Sequence, residues 1–102
     1  MPEIKNGKSS RWLSVILLKS KTHNDIEEII KVFEKESIET RPIWKPMHLQ
    51  PAFSGSPFYH YHSNALSKNL FEHGLCLPSG SSLTNNNMDK IINILRKEIS
   101  NK

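Results

Sequence analysis

The sequence predicts an α+β fold of two layers, in which a small, mainly antiparallel, three-stranded sheet packs against about three helices. Three observations lead to it. Apolar runs too short for helices occur near residues 12–18 and 75–77, and two longer stretches carry apolar residues at helical spacing. Between them, residues 39–51 contain three prolines, which exclude a helix or a central strand. The predicted order is strand, helix, strand, long loop, helix, strand, helix.

The first strand is expected over Trp12–Leu18, where an almost wholly apolar and β-branched run is typical of a strand buried on both faces. A helix follows, with Thr22 or Asn24 as its N-cap and its end near Glu36. A pair between Glu27 and Lys31 should support it. Its apolar stripe consists of Ile26, Ile29, Ile30 and Phe33.

A short second strand is expected over 37–40, and residues 52–63 are expected to be irregular. The next helix should run from about Asn64 to Glu72, with Gly74 as the residue that ends it in a left-handed conformation. Leu75–Leu77 then forms a very short strand. The last helix begins after Thr84 as N-cap, and its predicted buried face consists of Met88, Ile91, Ile92, Leu95 and Ile99.

The length of 102 residues suits one domain, expected over 1–102 with a polar arm at 1–10. Cys76 is the only cysteine, so no internal disulfide can form, which fits a reducing compartment. The first residues show no apolar signal sequence, and no run is long enough to span a bilayer. We therefore expect a cytoplasmic protein without a membrane partner.

A formal charge of +4 and a pI of about 9.3 leave open an independent basic binding module, for nucleic acid or a protein partner. The lysines are spread along the chain, however, without a run of five like charges or a recognition motif. A solvated surface is the interpretation that this pattern favours, and we expect no nucleic-acid partner.

The proline-rich stretch 39–51 carries the densest set of ligand-binding side chains: Arg41, Trp44, Lys45 and His48. A rigid loop with a guanidinium, an ammonium, an indole and an imidazole is a typical place for function. The alternative is a surface connection whose Trp44 and Met47 cover the core. The residues alone do not decide between the two.

Other candidates for chemistry are incomplete. His60 and His62 could begin a metal site but lack a third ligand, so surface histidines are favoured. Cys76 follows His73, as in a nucleophile and base pair, but between two leucines it is more typical of an inert core thiol. The turn at 78–82 has the composition of a phosphate-binding loop without its motif. The sequence thus predicts no catalytic and no metal-binding residue.

Two long segments resemble one known family. Arg41-Pro-Ile-Trp-Lys-Pro-Met-His-Leu-Gln-Pro-Ala-Phe53 and Leu70-Phe-Glu-His-Gly-Leu-Cys-Leu-Pro-Ser-Gly-Ser-Ser-Leu-Thr84 are similar to segments of the pyridoxal phosphate (PLP)-dependent sugar-nucleotide aminotransferases of the DegT/StrS type. Ser10-Arg-Trp-Leu13 resembles a strand opening of that family, which usually has asparagine where Ser10 stands. Residues 54–63 match the family least.

The resemblance implies the C-terminal small domain of a fold type I enzyme several times longer than this chain. The lysine that binds PLP, the aspartate at the pyridine nitrogen and the phosphate-binding turn belong to the large domain, so no cofactor is expected in this chain. The resemblance also implies that Arg41, Trp44, Lys45 and His48 contact a nucleotide-sugar substrate near a dimer interface. Alone, the chain should be inactive, and it should self-associate or bind the missing large domain.

Overall fold

The structure is a computed structural model that describes residues 3–10, 12–60 and 65–100, and it contains one three-stranded antiparallel sheet. Strand β3 is central, with β1 and β2 on either side of it. Ser14 lies opposite Leu77, and Arg41 lies opposite Cys76. The predicted fold class is confirmed. The elements are β1 (Ser14–Leu17), α1 (His23–Lys35), β2 (Arg41–Pro42), 3₁₀ turns at Met47–Leu49 and Pro51–Phe53, α2 (Leu66–His73), β3 (Gly74–Leu77) and α3 (Asn85–Ser100).

Strand β1 is shorter and less buried than the sequence predicts. It spans Ser14–Leu17 rather than the whole of Trp12–Leu18, and Ser14 and Leu17 are exposed. The prediction of a strand buried on both faces, or nearly so, was wrong, because no residue of β1 is fully buried and its two central residues, Val15 and Ile16, are half-buried. An apolar run does not reveal whether neighbours cover both of its faces.

Helix α1 forms as predicted. The Thr22 hydroxyl accepts a hydrogen bond from the backbone N–H of Asp25, while the Asp25 carboxylate accepts one from the Thr22 N–H at 2.6 Å, which completes a capping box. The expected Glu27–Lys31 pair is replaced by one between Lys31 and Glu28 at 2.7 Å. On a helix both partners lie within reach of Lys31, so spacing alone does not choose between them.

The end of α1 directs the chain into the second strand. Ser37 has a φ of 57°, and the N–H groups of Ser37 and Ile38 donate to the carbonyls of Glu34 and Phe33, the pattern of a Schellman motif. Ile38 thereby packs on the core instead of starting a strand. The predicted strand at 37–40 was therefore wrong in its position, because the Schellman motif occupies these residues and β2 begins only at Arg41. Pro42 is tolerated there because β2 is an edge strand.

Helix α2 ends differently from the prediction. Gly74 has a φ of −108°, so it is extended and is the first residue of β3, not a left-handed helix terminator. Glycine is needed there for space. A Cβ at this position would overlap the Ile43 side chain and lie 2.5 Å from the Leu70 carbonyl oxygen.

The core joins the sheet to α1 and to one side of α3. Its buried apolar side chains in the described ranges include Leu18, Ile26, Ile29, Phe33, Leu75 and Ile91. Thr84 caps α3 as predicted, by accepting a hydrogen bond from the Asn87 N–H at 3.2 Å. The predicted buried face of α3 was largely wrong. Only Ile91 of its five residues is buried, Leu95 is half-buried, and 43% of each of Met88, Ile92 and Ile99 is exposed.

The chain exposes more surface than a compact domain of its mass. Its accessible area is 8213 Å², whereas a folded monomer of 11.7 kDa should expose about 5,900 Å².

Candidate functional site

An open groove of about 1160 Å³ lies between the segment that follows β2 and the segment that joins β3 to α3. Arg41, Trp44 and Lys45 line one wall. Ser79, Asn87 and Lys90 lie among its polar lining, and Cys76, Leu77 and Leu83 are among its apolar lining residues. The structure therefore brings three of the four predicted site residues to one groove. Arg41 lies opposite Cys76 in the pairing of β2 with β3, and Trp44 and Lys45 follow within four residues, so the three share one lining.

Two tryptophans, the only two in the sequence, meet at this groove. The ring centroids of Trp12 and Trp44 are 5.8 Å apart and the planes are tilted by 34°. Indoles are normally at least half-buried, but 73% of Trp12 and 62% of Trp44 is exposed. The alternative, that Trp44 and Met47 cover the core, does not fit, because both side chains are mostly exposed. The pair presents an accessible aromatic surface to a ligand.

Arg41 and Lys45, two of the cationic side chains that line the groove, are exposed. The Arg41 guanidinium donates from Nε to the Glu39 carboxylate at 2.7 Å, and a second donor, Nη2, contacts the same oxygen. The backbone carbonyl of Lys45 accepts a hydrogen bond from the Gln50 side chain at 3.1 Å, which fixes the loop around it. Because Glu39 uses one edge of the guanidinium, the rest of its donors remain able to bind an anion.

His48 lies apart from the other three. It belongs to the 3₁₀ turn Met47–Leu49, and its ring stacks on Phe58 with centroids 3.7 Å apart and planes 16° from parallel. The two rings help to line a second, smaller hollow of about 470 Å³, together with Lys68 and Glu72. The two 3₁₀ turns carry the chain away from the groove after Pro46, and the proline spacing in the sequence does not reveal their direction.

Sequence reasoning missed several groove residues. Trp12 was assigned to a strand, whereas it precedes β1 and packs on Trp44. Thr40 is buried, and its hydroxyl has no hydrogen-bond partner within the described ranges, although it lies in the groove lining. The position of Trp12, an aromatic residue beside the end of a strand, could have indicated its place in the groove. Nothing in the sequence indicates that Thr40 is buried there, because its burial depends on the tertiary fold.

An ion pair bounds the far end of the groove. Lys90 of α3 lies 2.9 Å from the Glu36 carboxylate and also donates to the Glu36 carbonyl oxygen at 3.3 Å. The hydrogen bond and the charge of Lys90 lower the pKa of the Glu36 carboxyl. The pair joins the first turns of α3 to the end of α1, so it holds two walls of the groove together.

The thiol of Cys76 is not set up as a nucleophile. It is buried, burial raises its pKa, and Sγ lies 4.0 Å from the Pro42 carbonyl oxygen. His73, which the sequence places nearby, is engaged through Nδ1 with the Asn69 carbonyl at 2.9 Å. A raised pKa keeps the thiol protonated at neutral pH, so the core interpretation agrees with the structure.

The remaining motifs are structural or fall partly outside the described residues. The Ser79 hydroxyl accepts from the Ser14 N–H at 2.9 Å and donates to the Leu77 carbonyl at 3.0 Å, so the turn at 78–82 uses it to secure β1. His62 lies outside the described residues. Within them, no group of three or more histidine, cysteine, aspartate or glutamate side chains is arranged to hold a metal ion.

The basic residues of the described part are partly neutralised by neighbours. Ion pairs join Lys31 to Glu28, Arg41 to Glu39, Lys68 to Glu72 and Lys90 to Glu36. These pairs lie on different elements, so they form no continuous cationic stripe of the kind that tracks a nucleic-acid backbone. Among the helices of the described ranges, none has the length and apolarity needed to cross a bilayer.

The structure is thus a small α+β domain with an exposed groove lined by aromatic and cationic side chains. The sequence model of the DegT/DnrJ/EryC1/StrS aminotransferase family matches residues 1–96, so the chain belongs to that family. It is 39% identical over 98 residues to EpsN of Bacillus subtilis (strain 168), which is named as a pyridoxal phosphate-dependent aminotransferase. The alignment covers 93% of this chain and 24% of EpsN.

Solved structures match the fold over a similar share. The sugar aminotransferase Spr1654 from Streptococcus pneumoniae, in its PMP form and in its apo form, superposes with a TM-score of 0.75 and 22% identity. Each superposition covers 89% of this chain and 23% of that structure. The chain thus spans about a quarter of the length of the relatives that it matches.

The described residues do not fit the cofactor that the family uses. PLP requires a lysine held in place for covalent binding, and a carboxylate for its ring nitrogen. No lysine in the described ranges is buried, and Lys45 in the groove is exposed. Asp25 is committed to the α1 cap, and Asp89 is exposed on α3. No step of the chemistry is therefore assigned to PLP in this chain.

Proposed function

We propose that this chain is the small domain of an aminotransferase that acts on nucleotide-linked keto sugars. In this proposal it lines the substrate pocket and contributes dimer surface, while the transfer of the amino group, from a donor such as glutamate, takes place on a large domain. The observation that carries the proposal is the groove in which Arg41, Lys45 and the Trp12–Trp44 pair adjoin.

The side chains of the groove suit the parts of a nucleotide sugar. Arg41 and Lys45 supply two positive charges for a pyrophosphate, and a guanidinium can bind phosphate oxygens through two parallel hydrogen bonds. The exposed indoles of Trp12 and Trp44 offer flat faces on which a base or the apolar face of a sugar can stack. His48 lines the second hollow and not this groove, so it would contact only a part of the substrate that extends out of the groove.

The loop is held in shape before a ligand arrives. Pro42 and Pro46 fix the backbone on both sides of Trp44, and Gln50 bonds the Lys45 carbonyl. A rigid loop loses little conformational entropy on binding, so more of the contact energy remains as affinity.

The central test is a fluorescence titration of the full chain with uridine diphosphate glucose. Both tryptophans of the sequence line the groove, so their emission reports on it directly. We expect quenching, and a Kd raised about tenfold by Arg41→Ala or Lys45→Ala, which corresponds to the loss of one charge-assisted hydrogen bond.

The matched control is Lys31→Gln, which removes one positive charge from α1, away from the groove. It should leave the Kd unchanged. Equal weakening by the control would show that only net charge matters, and no quenching at millimolar ligand would contradict the proposed site. Addition of PLP followed by gel filtration should leave no stoichiometric bound cofactor; borohydride is omitted, because it would trap PLP on the exposed lysines. Stable incorporation would contradict a purely accessory role.

A further inference from the structure

Thr40 is a buried residue of the groove whose hydroxyl forms no hydrogen bond with the rest of the described chain. Only 7% of the residue is exposed, and its Oγ1 atom has no hydrogen-bond partner among the residues that the structure describes. Thr40 nevertheless belongs to the lining of the groove, directly before Arg41 in the chain. A hydroxyl that leaves water without gaining a hydrogen bond costs free energy, so native structures leave few of them unpaired. The Oγ1 atom of Thr40 therefore indicates a partner from outside the described residues.

Packing explains the burial of Thr40 but not its hydroxyl. Arg41 lies opposite Cys76, so the same register continued by one residue brings Thr40 beside Leu77. Leu77 and Ile38 both pack against the core, and neither side chain can donate or accept a hydrogen bond. Valine has the same branched shape as threonine and would fill such an apolar position without an unpaired polar atom. The polar atom is therefore the feature of Thr40 that needs an explanation.

The hydroxyl can turn into the groove at little cost. In the chain without a ligand, Oγ1 has no contact with solvent. Rotation about the Cα–Cβ bond, from one staggered position to another, exchanges the places of the hydroxyl and the methyl group. This rotation breaks no hydrogen bond to any described residue, because Oγ1 forms none. A ligand that offers a hydrogen bond can therefore select the rotated side chain.

The charges of the groove indicate which part of a ligand would lie next to Thr40. In the proposed function, Arg41 and Lys45 bind the pyrophosphate of a nucleotide sugar, and the sugar is bonded directly to that pyrophosphate. The Cα atoms of neighbouring residues are about 3.8 Å apart, so a sugar attached to a phosphate at Arg41 is within reach of Thr40. A sugar hydroxyl both donates and accepts hydrogen bonds, as a threonine hydroxyl does. The two groups can therefore pair in either direction.

We propose that Thr40 is a specificity-determining residue of the groove, whose hydroxyl turns toward the ligand and pairs with a hydroxyl of its sugar. This inference rests on the proposed function and extends it, because it orients the ligand, with the pyrophosphate at Arg41 and Lys45 and the sugar at Thr40. A groove that provides a hydrogen-bonding group for one hydroxyl discriminates against ligands that lack this hydroxyl.

The decisive experiment compares two ligands and two substitutions by tryptophan fluorescence. The full chain and its variants are titrated with uridine diphosphate glucose and with uridine diphosphate, which lacks the sugar. Thr40→Val keeps the shape and charge of the groove, and it should raise the Kd for uridine diphosphate glucose about tenfold. The same change should leave the Kd for uridine diphosphate as it is. Thr40→Ser retains a hydroxyl and should bind uridine diphosphate glucose as the natural chain does.

Unfolding by urea supplies a second measurement, which a purely structural role of the hydroxyl would change in the opposite direction. Thr40→Val removes an unpaired buried polar group, so the urea midpoint of the chain without a ligand should stay the same or rise. A variant that is more stable and yet binds the sugar nucleotide more weakly would support the proposal. A lower midpoint would show that the hydroxyl already has a partner within the fold, and it would overturn the proposal.

The titrations distinguish a failure of this inference from a failure of the proposed function. If the natural chain binds uridine diphosphate glucose and Thr40→Val binds it equally well, Thr40 has no part in recognition and only this inference is overturned. Equal weakening of both ligands would also overturn it, since the substitution would then act through the shape of the loop. If uridine diphosphate glucose causes no quenching in the natural chain, the proposed function fails and the role of Thr40 fails with it.

Discussion

Helices α1 and α3 have similar sequence patterns and very different surroundings. Both have a threonine N-cap, apolar residues at helical spacing and basic residues in their last turn. Ile26 and Phe33 of α1 are fully buried, whereas Met88 and Ile92 of α3 keep 43% of their surface exposed. The pattern identifies an apolar face, but it does not identify what covers that face.

The difference divides the molecule into a covered part, which is α1 with the sheet, and an uncovered part, which is the outer face of α3. α1 packs against the sheet and is fastened at both ends, by a capping box and by a Schellman motif. α3 contributes Ile91 to the core and is joined to α1 through Lys90 and Glu36. We infer that α1 contributes more to the stability of the isolated chain than α3 does. The predictions below test this division.

The largest effect is expected for Phe33→Ala. Phe33 is fully buried in α1, so its removal leaves a cavity and should cost about 3–5 kcal/mol of unfolding free energy. The matched change in α3, Ile92→Ala, should cost about 1 kcal/mol or less, since alanine favours helices and Ile92 is half-exposed. Urea unfolding, at protein concentrations where the chain is monomeric, measures the unfolding free energy of both variants. Equal losses of unfolding free energy would contradict the distinction between a covered α1 and an exposed face of α3.

A smaller effect is expected at Gly74, in the covered part. Gly74→Ala forces a methyl group against Ile43 and the Leu70 carbonyl, and overpacking of this kind costs about 1–3 kcal/mol. Gly80→Ala is the control, because the nearest atom to its Cβ would be the Ser82 hydroxyl oxygen at 3.8 Å. It should change stability by less than about 0.5 kcal/mol. If Gly74→Ala left the free energy of unfolding unchanged, the backbone at the α2–β3 junction would have to move to make room for the methyl group.

The fold was predictable where a feature depends on neighbouring residues in the chain. The Thr22 cap, the stripe of α1, the Thr84 cap and the order of elements all follow from local spacing, and each is present. The wrong predictions concern which neighbouring elements cover a strand or a helix, and so how exposed its side chains are. The exposure of Leu17, of Ile92 and of Ile99 depends on the number of neighbours, which no spacing within the segment records.

The candidate site was predictable in its chemistry and not in its extent. Residues 39–51 supplied Arg41, Trp44 and Lys45 because prolines and ligand-binding side chains are concentrated there. Trp12 joins them from 32 positions earlier, through the tertiary fold. His48 is only three residues from Lys45, yet a 3₁₀ turn sends it to a different hollow. That these residues bind substrate remains a prediction.

The smallest effect concerns the two helix caps. Thr22→Ala removes one half of a capping box and should cost about 1 kcal/mol. Thr84→Ala removes a single side-chain hydrogen bond from a helix that has Asn87 where α1 has Asp25, and should cost about 0.5 kcal/mol. Urea midpoints at neutral pH give the two values. A larger loss at Thr84 would show that α3 stabilises the chain more than its exposure indicates.

Acid should weaken the cap of α1 and leave that of α3 unchanged. Hydrogen bonds from the Thr22 backbone N–H and then from its hydroxyl lower the pKa of Asp25 below its ordinary value of 3.8. A carboxyl whose pKa is lower in the folded state stabilises the fold above its ordinary pKa. That contribution is lost as the pH falls through the lower, folded value. Asp25→Asn should therefore be less stable than the natural chain at pH 7, and the difference should stay constant down to near the ordinary pKa of 3.8 and shrink only below it. Thr84→Ala in α3 supplies the comparison, because no ionisable group takes part in that cap, and its effect should not vary over the same range. If the Asp25→Asn difference were constant with pH, the cap would depend on the shape of the side chain rather than on its charge.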